Sequence, residues 1–267
     1  MQRIFALVLF LTLISASGAF ASGIEITPLL ERQGKNDTAL LIGASDGQKA
    51  RFIPDGELKS QILAFYVKVN NRGILFDTGL RNGNITKRLA ENGTLPSDVK
   101  TILLTHLHPD HFGGLVDVNG KAAFPEAEIY LSRLERDYWV NELKNENVIE
   151  ALDLYKNKIH LFEFDSEVFD CIKALDASGH TPGHTVFDIK ADGEELLIVG
   201  DIIHFIEIQL PVPDVSVRYD VDPDKARESR KKILDYAAEN NIKIAGMHIQ
   251  NPGIIKVKKN GSEYEKF

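Results

Sequence analysis

A single cysteine, Cys171, is all the thiol chemistry available to this chain of 267 residues. An intrachain disulfide is thereby excluded, and so is a zinc-thiolate cluster, which needs several sulfurs. Cys171 is expected to be a small buried apolar residue. Basic residues are also scarce: 31 Lys and Arg against 39 Asp and Glu leave a net charge of −8. Sequence-independent nucleic-acid binding needs a basic footprint, so that class is set aside. Internal repeats, low-complexity stretches and linker-like segments are missing, which favours one domain. Long apolar runs are missing beyond the N-terminus. The run that is present, Ile4 to Ile14, is about half of the ~20 residues a membrane span requires. It follows Arg3 and precedes small residues ending in Ala19-Phe20-Ala21, the layout of a secretory leader cut after Ala21. No cysteine follows it to take a lipid anchor. We therefore expect a leader over residues 1–21 and a single domain over 22–267, periplasmic or secreted and free of membrane after cleavage.

With 43% hydrophobic residues the chain can bury a sizeable core. Gln61 to Asn70 reads as a strand that turns at Asn70-Asn71-Arg72-Gly73 into a second, Ile74-Leu75-Phe76. Asn84 is placed to cap a helix running to about Glu91, with Gly93 ending it. Val99–Leu104 and Ala127–Leu131 read as strands, and Ser132 as the cap of a helix carrying Tyr138 and Trp139. A helix over 146–157 precedes strands near 159–164 and 171–176, then a hairpin turning at Asp192-Gly193. Asp222-Pro223-Asp224 opens a long helix to about Asn240, Ile242–Met247 is a short strand, and Asn260-Gly261 turns a terminal hairpin. Strands and helices interleave without strict alternation. Two sheets covered by helices fit that order better than one doubly wound sheet.

Against this background, residues 105–111 stand out as Thr-His-Leu-His-Pro-Asp-His directly after an apolar strand. In an extended run His106 and His108 point the same way, within reach of one ion. Asp110 and His111 follow a proline and can turn toward a second. Neutral imidazole and carboxylate suit Zn²⁺, Fe²⁺, Mn²⁺ or Co²⁺. Four ligands cannot complete two sites. His180, Asp201 and His248 each sit just past a strand end and can supply the remainder. His160 lies within an apolar strand and is expected to be structural.

In order along the chain, THLHPDHFGG, GHTPGHT, VGDIIH and AGMHIQNPG resemble the ligand motifs of the metallo-β-lactamase superfamily. The resemblance runs from about Phe65 to the C-terminus. It implies an α/β fold, an αββα sandwich of two mixed β-sheets flanked by helices, around a dinuclear metal site. One ion would be held by His106, His108 and His180, the other by Asp110, His111 and His248, with Asp201 bridging. Asp77, in a Phe-Asp-Thr-Gly turn, would orient the site from behind the ligands, and His184 would brace the loop of His180. The cofactor implied is two divalent ions per chain, zinc foremost, with iron, manganese or cobalt as alternatives.

Beyond the ligands, FPEAEIYLSRLERDYW and DVDPDKARESRKKILDYAAE look like methyl parathion hydrolase and related secreted hydrolases, with N-acyl-homoserine lactonases as near relatives. Those lactonases usually carry a tyrosine three residues after the bridging aspartate; His204 stands here instead. His204 would either assist the leaving group or hold a structural bond, and Asp110 would take up or relay a proton. Phe205, Ile206, Leu210 and Tyr219 are candidates to line an apolar pocket. The function implied is a hydrolase using a metal-bridging hydroxide on small esters, lactones or phosphotriesters. The alternatives are a β-lactamase, a thioester hydrolase of the glyoxalase II type, or a metal-binding protein without catalysis. The expected partner is a small-molecule substrate, with neither nucleic acid nor membrane, and a homodimer is the assembly kept open.

The leader can be checked directly. Protein exported from a Gram-negative host is expected to begin at Ser22 on N-terminal sequencing. A chain starting at Met1 in the membrane fraction would identify the apolar run as an uncleaved anchor.

Overall fold

Strands, several with alternating apolar residues, interleave with short helices in the computed structural model, which describes residues 23–267. The expected leader and its cut lie outside those described residues. The chain enters as β1 (Glu25–Asp37), passes β2 (Leu41–Ile42) and α1 (Asp46–Phe52), and continues as β3 (Glu57–Val69) and β4 (Arg72–Phe76). Then come α2 (Ile85–Glu91), β5 (Thr101–Leu103), the short α3 (Pro109–Phe112) and β6 (Glu128–Ser132). They are followed by α4 (Arg133–Asp137), α5 (Glu146–Asp153) and β7 (Ile159–Phe162). The order β1-β3-β4-β5-β6-β7 makes a six-stranded sheet, antiparallel as far as β4 and parallel beyond it.

The second half adds β8 (Glu167–Phe169), β9 (Ile172–Asp176), β10 (Thr185–Ala191) and β11 (Glu194–Gly200). Next are α6 (Ile206–Gln209), β12 (Ser216–Val217), α7 (Pro223–Glu239), β13 (Lys243–Gly246) and β14 (Ile254–Ile255). A hairpin of β15 (Val257–Asn260) and β16 (Glu263–Lys266) ends the chain. The second six-stranded sheet runs β14-β13-β11-β10-β9-β8, with β11 and β13 parallel and the other pairs antiparallel.

Alternation decides the layers. In β3, Leu63, Phe65, Val67 and Val69 face the second sheet and meet Phe187, Ile189 and Ile198, while Ala64 faces outward. That outer face is covered by Ile85 and Leu89 of α2 and by Val148, Ala151 and Leu152 of α5. On the far side, Val186, Leu197, Val199 and Ile244 pack against Ile233, Leu234 and Ala237 of α7. Helix, sheet, sheet, helix is the expected αββα sandwich.

Several local expectations are corrected. Asn84 stands at the start of α2 but makes no capping bond; its Nδ2 donates to the Glu31 carbonyl instead. Ser132 makes no side-chain capping bond either. The helix expected over 146–157 stops at Asp153, and α4 passes into a π-helical turn at Tyr138–Glu142. Asp222 does cap α7, accepting from Lys225 N–H at 3.0 Å. Cys171 is half-buried at the β8–β9 turn rather than fully enclosed. The long strand β1 had no expectation at all. Its register skips Glu31, between Leu30↔Leu63 and Arg32↔Ile62, so the strand bulges there. Glu31 turns inward and accepts the Asn84 N–H at 2.7 Å.

Phe187 tests the sandwich, because its ring contacts Phe76 and Phe162 of the opposite sheet at centroid distances of 5.5 and 5.8 Å. Phe187→Ala is expected to lower unfolding free energy by about 3–5 kcal/mol in denaturant titration. A loss below about 1 kcal/mol would mean that the sheets are not joined through this ring.

Candidate metal centre

Each candidate ligand is delivered by a strand end. His106 and His108 follow β5, and Asp110 and His111 lie on α3, whose first residue, Pro109, is already set for helix. His180 is on the loop after β9, Asp201 directly follows β11, and His248 follows β13. All seven gather at one edge of the sandwich.

Outer hydrogen bonds fix which nitrogen of each ring faces inward. Thr105 Oγ1 donates to Asp77 at 2.8 Å and accepts from His106 Nδ1 at 3.0 Å. His111 Nδ1 donates to Asp77 Oδ2 at 2.7 Å, and His180 Nδ1 to Asp220 Oδ1 at 2.9 Å. His248 Nδ1 donates to the Gln61 carbonyl at 2.6 Å. With Nδ1 carrying the proton in all four, each Nε2 presents a lone pair to the centre.

Those lone pairs converge. His106 Nε2, His108 Nδ1 and His180 Nε2 lie 3.1, 2.9 and 3.2 Å from one another. Asp201 Oδ2 stands 3.7 Å from His106 Nε2 and 3.2 Å from His180 Nε2. Ligands about 2.1 Å from zinc in a tetrahedron are separated by about 3.4 Å, the spacing found here. A second group comprises Asp110, His111 and His248: Asp110 Oδ2 is 3.8 Å from His111 Nε2 and 3.5 Å from His248 Nε2. Asp201 reaches both groups, with Oδ1 3.2 Å from His111 Nε2 and Oδ2 3.1 Å from His248 Nε2. His111 Nε2 and Asp201 Oδ1 are buried without a hydrogen-bond partner among the described residues. The two atoms face each other there, and a shared proton or metal ion would satisfy both.

The electrostatics agree. Burial works against charge on His180, but its bonds to Asp201 and Asp220 hold it up to about 9. Burial is likewise overcome at His111 and His248, which Asp201 and Asp110 pull upward. The carboxylates thus make the centre favour positive charge, which divalent ions supply. Burial leaves His106 well below the usual imidazole range and takes His108 down to about 3, so both remain neutral donors.

Asp77 lies behind the ligands as expected, and also accepts Thr105 N–H at 2.8 Å. His184 is the expected brace: Nδ1 donates to the Ala177 carbonyl and Nε2 accepts Asp201 N–H, each at 3.0 Å. His204 Nε2 lies 3.1 Å from Asp201 Oδ2, and its ring stacks on His248 at 4.9 Å. Burial takes His204 down to about 4, so at neutral pH it is an uncharged ring. His160 is exposed on β7, bonded to Glu128 and remote from the centre.

Three supports escaped the sequence. Glu135, fully buried, accepts from Leu107 N, Trp139 Nε1, Thr181 Oγ1 and Gly183 N, joining the His106–His108 loop to the His180 loop. Asp220 orients His180. Gln61 accepts His248 Nδ1–H on its carbonyl and, through its side chain, donates to the Ile249 carbonyl and accepts the Asn251 N–H. A glutamate within LERDYW and an aspartate within RYDVD look like solvated charges, so no local signal marks them.

The centre opens into a cavity of about 320 Å³. Phe205 and Tyr219 line it as expected. Ile206 and Leu210 do not: both are packed into the layer beneath α7, with Ile202 and Ile233. Leu80 and Ile62 complete the apolar wall, and Arg32, Asn36 and Ser60 form a polar one.

Residues 59–240 match the family model described as metallo-beta-lactamase superfamily. A probable metallo-hydrolase of Bacillus subtilis (strain 168) is 29% identical over 161 residues, covering 58% of this chain and 71% of that protein. Among solved structures, the hydrolase AbOPH of the β-lactamase superfamily superimposes with a TM-score of 0.84 at 29% identity, over 93% of this chain and 95% of that one. AidC, a dizinc quorum-quenching lactonase solved with a product, N-hexanoyl-L-homoserine, gives 0.84 at 27% identity, with the same two coverages. The converging donors and these likenesses have one conclusion: the chain belongs to the metallo-β-lactamase superfamily and is a metal-dependent hydrolase.

Proposed function

We propose that this chain is a dinuclear hydrolase of small esters, lactones or phosphotriesters that acts outside the cytoplasm after losing residues 1–21. The observation that carries the dinuclear part is the convergence of outward-tethered imidazoles on Asp201, whose carboxylate faces both ligand groups, Oδ2 toward His180 and His248 and Oδ1 toward His111. His106, His108 and His180 would hold one ion, Asp110, His111 and His248 the other, and Asp201 both. Two divalent ions there, zinc before iron, manganese or cobalt, supply Lewis acidity toward a carbonyl or phosphoryl oxygen and activate water.

The chain's own groups then have distinct tasks. Asp110 faces the cavity and His111 and His248 hold it ionised against the burial that would raise it, so its carboxylate can accept a proton. Leu80, Ile62, Phe205 and Tyr219 offer an apolar wall for an acyl or aryl group and exclude water from it. His204 is uncharged and held against Asp201, so we assign it to positioning that carboxylate rather than to protonating a leaving group. Lactone and ester substrates are supported by the named activities of the relatives and by the cavity's size, which suits a compact molecule.

Elemental analysis of protein purified without chelator is expected to find close to two divalent ions per chain. One ion or none after reconstitution would sink the dinuclear assignment. Asp201→Ala is expected to release both ions rather than one. Turnover of an aryl ester, a γ-lactone or paraoxon, with nitrocefin and S-lactoylglutathione inert, would support the substrate class; the reverse pattern would exclude it.

His204→Phe separates the two roles of that ring. A positioning residue is expected to slow activated aryl esters and poor leaving groups by a similar factor, with metal content retained. A loss confined to poor leaving groups, on the scale of the ~10²–10⁴-fold typical of general acids, would assign it the proton transfer instead.

A further inference from the structure

Within the described residues, every arginine but one has a partner. Arg81, Arg88, Arg133, Arg136 and Arg227 pair with carboxylates. Arg218 and Arg230 donate to backbone carbonyls, and Arg51 and Arg72 lie over phenylalanine rings. Arg32 makes none of these contacts with described residues, although it lines the cavity at the metal centre.

Its position follows from the strand pairing. Beyond the bulge at Glu31, β1 and β3 pair as Arg32↔Ile62, Gly34↔Ser60 and Asn36↔Leu58. Alternation then sets Arg32, Gly34 and Asn36 on one face of the ribbon, with Ile62 and Ser60 as the cross-strand partners of Arg32 and Gly34. Gly34, between them, leaves that face open. The neighbouring carboxylate, Glu31, accepts the Asn84 amide and feels the charge of Arg32 but makes no ion pair with it. Like Arg32, Asn36 and Ser60 make no side-chain hydrogen bond to another described residue. Three polar side chains with no hydrogen bond to another described residue thus line the cavity together with the apolar residues Leu80, Phe205 and Tyr219. The two carboxylates that line the cavity, Asp110 and Asp201, are both in the candidate ligand cluster, and neither pairs with Arg32.

We propose that Arg32, with Asn36 and Ser60, forms a carboxylate subsite, and that the substrate is an ester or lactone bearing a negatively charged carboxylate away from its scissile bond. A guanidinium presents two parallel N–H groups that match a carboxylate, and Asn36 and Ser60 add donors beside it. This assignment rests on the hydrolase function proposed above and narrows its substrate class.

Its test uses the metal-loaded protein and two aryl esters of equal shape: the 4-nitrophenyl monoester of glutaric acid, an anion, and its terminal carboxamide, which is neutral. Wild type is expected to prefer the anion in kcat/KM by about 10–100-fold, the range of a charge-assisted hydrogen bond. Arg32→Ala and Arg32→Gln are expected to remove that preference, chiefly through KM, while Arg32→Lys restores part of it. No preference in wild type, a preference that survives in Arg32→Ala, or equal losses on both esters would overturn the subsite. If neither ester is turned over, the hydrolase proposal fails on its own account. Calorimetric titration with the same two compounds then decides: tighter binding of the anion to wild type than to Arg32→Ala supports the subsite, and equal binding rejects it.

Discussion

A carboxylate sealed from water must collect hydrogen bonds or give up its charge, and Asp77 collects three, from His111, from the Thr105 hydroxyl and from the Thr105 amide. The rest of the centre depends on that arrangement. His111 is obliged to carry its proton on Nδ1, and through Thr105 the same follows for His106. Asp77 itself sits at a φ of 59°, in the turn after β4, so the end of a strand aims the carboxylate. Two rings from the β5 loop are thus oriented by a residue on the neighbouring strand. Such support keeps ligand geometry independent of what the rings later bind.

The second sheet repeats the logic with different chemistry. His184 spends both nitrogens on backbone, one on Ala177 and one on the amide of Asp201, and so locks Asp201 to the His180 loop. Gly200 is required beside it: its φ is 53°, and a Cβ there would run into His184 Nε2. Glu135 then stitches the two sheets' loops together through four donors. A buried glutamate so fully satisfied is a rigid link, and losing it would free both the His106–His108 and the His180 loops at once.

How far the sequence reveals this depends on whether the cause is local. A metal needs particular donor types at strand ends, and His106, His108, Asp110 and His111 cluster within six positions, so the ligands are legible. The hairpin at Asp192-Gly193 and the Asp222 cap are legible for the same reason. Glu135, Asp220 and Gln61 are not, because their partners lie 28, 40 and 187 residues away and each resembles an ordinary polar residue in its own segment. Two helix-covered sheets are readable from the interleaving of strands and helices, and the αββα layering from the family resemblance. By contrast β1, with Pro28, Gly34 and five charged residues, hides its pairing, and a bulge shifts its phase midway. Ile206 and Leu210 show the converse: an apolar residue near a site reads equally well as pocket or core, and only packing against Ile233 decides.

That hidden strand gives the cavity its character. The ligand-bearing edges of both sheets are shared across a fold class built for metal chemistry, whereas the β1–β3 ribbon is a wall added to them. A wall made by strand pairing is easy to vary, because alternate residues face the cavity and their neighbours face elsewhere. One residue inserted at Glu31 reverses which set faces in, exchanging Arg32 for a neighbour without moving His106 or Asp201. On the proposed reading, selectivity and catalysis fall to different parts of the fold: the chemistry to strand ends held from behind, and the choice of substrate to the register of an edge strand.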